Sequence, residues 1–262
     1  MSSDILHPLI SSTANSAPIV KPYRDALASK VRDAENLQAK VDLLHNAYEG
    51  QDCWIIATGP SATFIPTQRL RVELADKCVI AVKHAYDLFP DVVDFHVVNP
   101  CHLKDYEYGP TPPIRVGIIW PPSSDEWDAR WDLSFLIPRC GYMAESACWT
   151  KDFARWELAN SVDRPWGPGI MHEIGFFLPV HLGCKRIFTL GYDMEPTDAG
   201  YFYSDASAAA GYEERDTVTV PVNATGVMRE WLASHGIKWY RIATTVSSLI
   251  PAPTMNFEKA LT

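Results

Sequence analysis

The sequence predicts an α/β protein: a Rossmann-like, mostly parallel sheet with helices on both faces, an N-terminal helix and a Trp-rich lid or small subdomain. Three observations carry this reading. Short β-branched apolar runs recur along the chain, each bounded by turn residues, as strands buried on both faces tend to be. Segments of helical period separate several of them, which implies βαβ units. A chain of 262 residues suits one large domain. It buries roughly 70–75% of its unfolded surface, enough for a full core without staples.

Residues 1–20 contain Ser, Ala and Pro without a clear period and form a loose lead-in. From Tyr23 to Tyr48 the apolar residues Leu27, Val31, Leu37, Val41, Leu44 and Ala47 recur at helical spacing, and Gly50 is a suitable stop. This helix packs on the main fold or serves a homo-oligomer contact. Cys53-Trp54-Ile55-Ile56-Ala57 is the first strand run, followed by Thr58-Gly59-Pro60-Ser61 and a helix around Pro66 to Ala75. Cys78–Val82, Val92–Val98 and Arg115–Trp120 are the next three strands. Loops and short helices, a lid, are expected over 121–167, where several of the nine tryptophans lie. Gly169–Leu182 reads as a buried helix that Pro179 should kink or end. Arg186–Leu190 is a fifth strand, Thr225–His235 a helix and Lys238–Ala243 the last strand. The expected organisation is a lead-in and helix over 1–49, a Rossmann-like domain over 50–250 and a tail over 251–262.

Composition narrows the function classes. Apolar residues at 47% and charged residues at 21% exclude a disordered chain. The net charge of −9 argues against a nucleic-acid partner, which needs a basic face, but leaves room for a local basic pocket. No stretch reaches the 18 apolar residues of a membrane span, and Met1-Ser2-Ser3-Asp4 does not resemble a signal peptide. The six cysteines show no CxxC spacing and read as reduced thiols. A cytoplasmic protein, at most peripheral to a membrane, is expected. Asn223-Ala224-Thr225 fits a glycosylation sequon and is read as chance in such a setting.

In open α/β sheets, ligands bind at the carboxyl ends of the strands. That rule selects Thr58-Gly59-Pro60-Ser61, Lys83-His84, Asn99-Pro100-Cys101-His102 and Gly191-Tyr192-Asp193. The first loop is the best phosphate candidate. Gly59 permits close approach, amides at the following helix start favour an anion, and Thr58 or Ser61 can donate a hydroxyl. The alternative is a tight turn with a helix cap. The loop is neither a Walker A motif nor GxGxxG, so a nicotinamide dinucleotide is disfavoured. Lys83 suits a phosphate or a solvated strand end. Asn99 suits a base or ribose contact, or an Asx-turn before Pro100. Asp193 suits a metal, a hydroxyl or a helix cap. Cys101 with His102 is a poor metal pair. Tyr201, Phe202 and Tyr203 suit a ligand pocket or loop packing, and most tryptophans suit core or lid packing.

Gly50 to Ser61 resembles the opening strand and GPS-type loop of two related groups. One is the bacterial sialyltransferases of glycosyltransferase family forty-two. The other is the superfamily related to archaeal 6-hydroxymethylpterin pyrophosphokinase, which includes motility-associated glycosyltransferase-like proteins. Phe95-His96-Val97-Val98-Asn99-Pro100 is similar to their strand ending in Asn-Pro, and Leu182 to Asp193 to their helix end, strand and G-x-D turn. Tyr201, eight residues beyond Asp193, matches a family tyrosine. The resemblance spans about residues 50–250. It implies a Rossmann-like domain that binds a nucleotide-activated sugar, with a CMP-linked nonulosonate favoured and no cofactor required. By this likeness Thr58, Gly59, Ser61 and Asn99 would contact the nucleotide, and Tyr201 would bind the departing phosphate. The strand-end rule adds Pro60 and Lys83 to the expected nucleotide site, and Asp193 to Tyr201 as expected catalytic residues.

The chain also departs from the sialyltransferases. Their histidine base falls where this chain reads Thr217 to Asn223, without histidine. Glu195 replaces a second tyrosine, and Lys83 stands where asparagine is common. The base is left open among His84, His172, Glu173 and Glu195. The acceptor is an unidentified glycan or small molecule. One alternative is a pterin-type pyrophosphokinase using ATP and Mg, which needs carboxylates at the carboxyl end of the sheet. Asp91 and Asp94 lie at the wrong end for that. Another is a nucleotide-binding protein without catalysis.

Overall fold

The computed structural model describes residues 17–98, 106–119, 131–136, 174–193, 219–242 and 252–262. Eight strands form one sheet among them: β1 (Asp52–Ile56), β2 (Cys78–Val82), β3 (Phe95–Val98), β4 (Ile114–Ile119), β5 (Leu133–Leu136), β6 (Arg186–Leu190), β7 (Lys238–Ile242) and β8 (Thr254–Met255). Their order is β5-β4-β3-β2-β1-β6-β7-β8. Every neighbouring pair is parallel. The helices are α1 (Pro22–Asp33), α2 (Leu37–Leu44), α3 (Thr67–Glu73), α4 (Ile174–His181), α5 (Thr219–Ser234) and α6 (Phe257–Ala260). The expected α/β class holds.

Side chains of a strand alternate between faces, so a strand covered on both sides must be apolar throughout. In β1, Cys53 and Ile55 join one core layer, and Trp54 and Ile56 join the other. The first layer receives Leu27 and Val31 of α1, Leu44 of α2, Phe177 of α4 and Trp231 of α5. The second receives Leu70 of α3 and Phe257 of α6. Trp54 stacks on Phe188 at 4.9 Å between ring centroids and meets Phe257 edge-on at 5.7 Å. Burying one such ring contributes roughly 1.5–3 kcal/mol. Among the described residues no helix is long and apolar enough to cross a membrane.

Several elements differ from the sequence reading. The N-terminal helix is two helices, because the Asn36 side chain accepts the Ala39 N–H and starts α2 as an N-cap. Helix α5 begins at Thr219 rather than Thr225, since Pro221 falls in its first turn, where no amide donor is needed. Strand β5 lies within the segment expected to be a lid. Trp131, just before it, is only 5% exposed, and its ring lies 2.3 Å from where a Cβ on Gly117 would be. That tryptophan is core, and Gly117 makes room for it. The tail adds β8 to the sheet edge and packs α6 against Trp54.

The N-terminal segment is tied to the amino-terminal edge of the sheet by a buried charge pair. Lys21 Nζ donates to Asp94 Oδ2 at 2.5 Å and to the carbonyls of Lys77 and Val92 at 2.8 and 2.9 Å. Asp94 also accepts the Val79 N–H and the Tyr48 hydroxyl. Burial pushes the Asp94 pKa up to about 6, against the opposing pull of Lys21.

Candidate functional site

Strand order reverses between β1 and β6, because the chain runs outward from β1 through β5 and returns with β6 on the other side of β1. The crevice at the carboxyl ends of these two strands is the fold's ligand position. The Thr58-Gly59-Pro60-Ser61 loop leaves β1 there, and Gly191-Tyr192-Asp193 leaves β6.

The two loops are knitted together. The Ala57 N–H donates to the Leu190 carbonyl and the Gly59 N–H to the Gly191 carbonyl, each at 2.8 Å. The Gly191 N–H donates to Ser61 Oγ at 3.0 Å, and the Ser61 N–H donates to Asp193 Oδ2 at 2.9 Å. The approach is possible only with glycine. A Cβ on Gly59 would lie 2.5 Å from both Asp193 Oδ2 and the Gly191 carbonyl oxygen. Gly191 has φ +72°, and its Cβ would lie 2.3 Å from the Ala57 carbonyl oxygen.

These contacts revise the loop's expected chemistry. The amides of Gly59, Ser61 and Ala62 are already engaged, the last by the Gly59 carbonyl at 3.0 Å. They do not point outward as an open anion cradle. Asp193, 4% exposed, caps the one-turn 3-10 helix Pro60–Thr63. The Ser61 hydroxyl accepts the Gly191 N–H and keeps its own hydrogen to donate. The Thr58 hydroxyl has no hydrogen-bond partner among the described residues and belongs to a residue 6% exposed. Side-chain hydroxyls, not amides, are what this loop offers a ligand.

Just after the neighbouring strand β2, Lys83 opens a 3-10 helix with φ +51°. A left-handed conformation costs a lysine about 1 kcal/mol or more, and such strain collects at functional positions. The buried His96 of β3 donates from Nε2 to the Lys83 carbonyl at 2.8 Å, while its Nδ1 accepts the Tyr108 hydroxyl at 2.8 Å. The carbonyl can only accept, which fixes the tautomer. Burial pushes the His96 pKa down to about 3, so the ring is neutral. Tyr86 stacks on it at 4.5 Å and Tyr106 meets it edge-on at 4.6 Å. His84 lies beside Lys83 at the same carboxyl-terminal edge, with Nδ1 3.0 Å from Asp87 Oδ2.

The structure therefore gathers Thr58, Gly59, Pro60, Ser61 and Asp193 at one strand-end junction and sets Lys83 and His84 just after the adjoining strand. Asn99, Tyr201, His102, His172, Glu173 and Glu195 lie outside the described residues. Sequence reasoning missed His96, although it stands inside the quoted strand Phe95–Val98; a polar residue in an apolar run was its signal. It also missed Cys53, Cys78 and Cys184, whose sulfurs lie within 4.8 Å of one another. Each stands at the amino end of a strand run. Thiol hydrogen bonds from Cys53 and Cys78 pull Cys184 down to about 5, while burial pushes the other two up.

A parallel sheet with helices on both faces and a glycine-dependent loop junction at the strand-order reversal defines a Rossmann-like α/β protein. No family profile and no curated protein matches the sequence. Among solved structures, the chain is similar to the MAf glycosyltransferase from Magnetospirillum magneticum AMB-1, with 12% identity and a TM-score of 0.47 over 89% of this chain and 38% of that one. This chain thus spans well under half of that protein. It is also similar to the sialyltransferase CstII from Campylobacter jejuni, solved in complex with a substrate analogue, cytidine-5'-monophosphate. There the identity is 13% and the TM-score 0.39, over 80% of this chain and 88% of that one.

Proposed function

We propose that this chain is a glycosyltransferase that takes a nucleotide-activated sugar, with a CMP-linked nonulosonate as the favoured donor. The observation that supports the reading most is the junction of the Thr58–Ser61 loop with Gly191–Asp193 at the strand-order reversal. The sequence motifs that resemble sialyltransferases fall on those same two loops. In this reading Thr58, Gly59, Pro60 and Ser61 form one wall of the nucleotide site, and Asn99 contacts the nucleotide. Lys83 offsets phosphate charge. Asp193 positions the loop through the Ser61 N–H. Tyr201 donates to the departing phosphate, whose growing charge it stabilises.

The reaction is a displacement. The acceptor oxygen forms a bond to the anomeric carbon as the bond from that carbon to the donor phosphate oxygen breaks. The phosphate leaves with the bonding pair as CMP, and the acceptor proton passes to a base. His84 is the described residue suited to that role, because Asp87 can orient its ring. No metal is needed for this step. The pyrophosphokinase alternative needs converging carboxylates, and among the described residues the one group of three potential metal ligands is the cysteine set, away from this edge.

A thermal-shift panel of CMP, CDP, UDP, GDP, AMP and ATP, with and without magnesium, tests the proposal. A ligand at a hundred times its Kd adds about 2.7 kcal/mol. Stabilisation by CMP or CDP without magnesium is expected, followed by donor turnover that His84→Ala abolishes while CMP binding persists. Selective stabilisation by ATP with magnesium would overturn the transferase reading in favour of the kinase.

A further inference from the structure

We propose that Cys53, Cys78 and Cys184 form a three-coordinate thiolate site for a thiophilic metal ion, Cu(I), at the amino-terminal edge of the sheet. The three residues come from far-separated parts of the sequence. Cys53 and Cys78 are register partners on β1 and β2, and Cys184 stands two residues before β6, the other neighbour of β1. All three face the same core layer. Cys53 and Cys78 have no exposure, and Cys184 retains 3%.

The geometry suits a metal closely. Three sulfurs 2.3 Å from a common centre in a plane stand about 4.0 Å apart. The sulfurs here all lie within 4.8 Å of one another, so a small contraction completes the triangle. Soft thiolates select Cu(I), zinc or iron–sulfur clusters. Structural zinc is almost always held by four ligands, and the group contains three among the described residues. The Asp94 carboxylate, which interacts electrostatically with Cys78 and Cys184, is committed to Lys21, Val79 and Tyr48. A three-coordinate monovalent ion therefore fits better than a tetrahedral divalent one. Loading replaces the remaining thiol protons, which pass to solvent. Lys21 supplies positive charge that acts on Cys78. Cys184, on the turn between α4 and β6, gives the route of entry. A bound ion would join β2, β1 and β6, the strands that flank the ligand crevice at their other end.

The test is anaerobic titration of the full-length protein with Cu(I) against a chromophoric chelator, followed by X-ray absorption at the copper edge. The expected result is one ion per chain, coordinated by three sulfurs. Cys53→Ser, Cys78→Ser and Cys184→Ser should each weaken binding by about a hundredfold or more, at least the upper end of the loss when an outer-shell partner is removed. Cys101→Ser, Cys140→Ser and Cys148→Ser should leave it unchanged. The absorption spectrum of the wild-type protein keeps the proposal falsifiable if a core variant fails to fold. Failure to compete for Cu(I), a sulfur count other than three, or binding that survives all three core substitutions would overturn it. So would preferential retention of zinc with a fourth ligand.

Discussion

The two ends of the sheet solve opposite problems. At the carboxyl end, β1 and β6 release loops whose polar groups meet each other across the strand-order reversal. Glycine lets them approach, and Asp193 caps the Ser61 amide. At the amino end, charged and thiol groups are taken out of water. Lys21 and Asp94 are 8% and 1% exposed, and three sulfurs converge beside them. The first end is shaped by backbone geometry and carries a strained Lys83. The second is shaped by side-chain burial. The difference teaches where each kind of substitution should hurt: backbone changes above, charge changes below.

The largest effect is expected below. Lys21→Met leaves the Asp94 carboxylate buried without its counter-charge, which costs about 3–5 kcal/mol. Denaturant unfolding measures this, and the double variant Lys21→Met with Asp94→Asn should recover most of the loss. Above, Gly191→Ala forces a Cβ into a left-handed residue and onto the Ala57 carbonyl. A loss of about 3 kcal/mol is expected, read as a fall in Tm of roughly 6–12 °C. If the alanine variant is as stable as wild type, the knitted loops are not a close approach.

Acidity separates the two ends next. The folded His96 pKa is about 3, below the ordinary 6.5. The unfolded chain therefore binds a proton first as pH falls from 6.5, and stability drops until about pH 3. The folded Asp94 pKa is about 6, above the ordinary 3.8. The folded chain binds that proton first, so stability rises as pH falls from 6 toward 4. Each fully developed slope is about 1.4 kcal/mol per pH unit, and between pH 6 and 4 the two oppose. Relative to wild type, His96→Phe should gain stability on acidification through that window, and Asp94→Asn should lose it. Chemical denaturation at pH 4, 5, 6 and 7 checks both signs; parallel curves for all three proteins would refute the assignment. The smallest effect concerns the ligand. Thr58→Ala removes one hydroxyl and should weaken CMP binding about fivefold, the worth of a typical hydrogen bond, with little change in folding.

Much of the fold was legible because strands buried on both faces leave continuous apolar runs. Those of β1, β2, β3, β4 and β6 stand out in the sequence for that reason. Strand β5 did not, because Leu133-Ser134-Phe135-Leu136 sits among tryptophans and prolines that read as a lid. Strand β8 is two residues long, too short for any period. Asn36 was a legible cap that periodicity alone overrode. At the site, the position of the Thr58–Ser61 and Gly191–Asp193 loops followed from the strand-end rule. What they do to each other did not, since the Ser61 to Asp193 contact spans 132 residues. The cysteine triangle was hidden for the same reason. Only the parallel register that sets Cys53 beside Cys78 brings those residues together.

Nucleotide is proposed to bind at the carboxyl end of β1 and β6. Hydrogen exchange read by mass spectrometry, with and without saturating CMP, tests it most directly. Slowed exchange over residues 58–63, 83–84 and 191–193, with no change around Cys53, Cys78 and Cys184, is the expected result. Saturable CMP binding that protects other segments, or no binding at all, would contradict it.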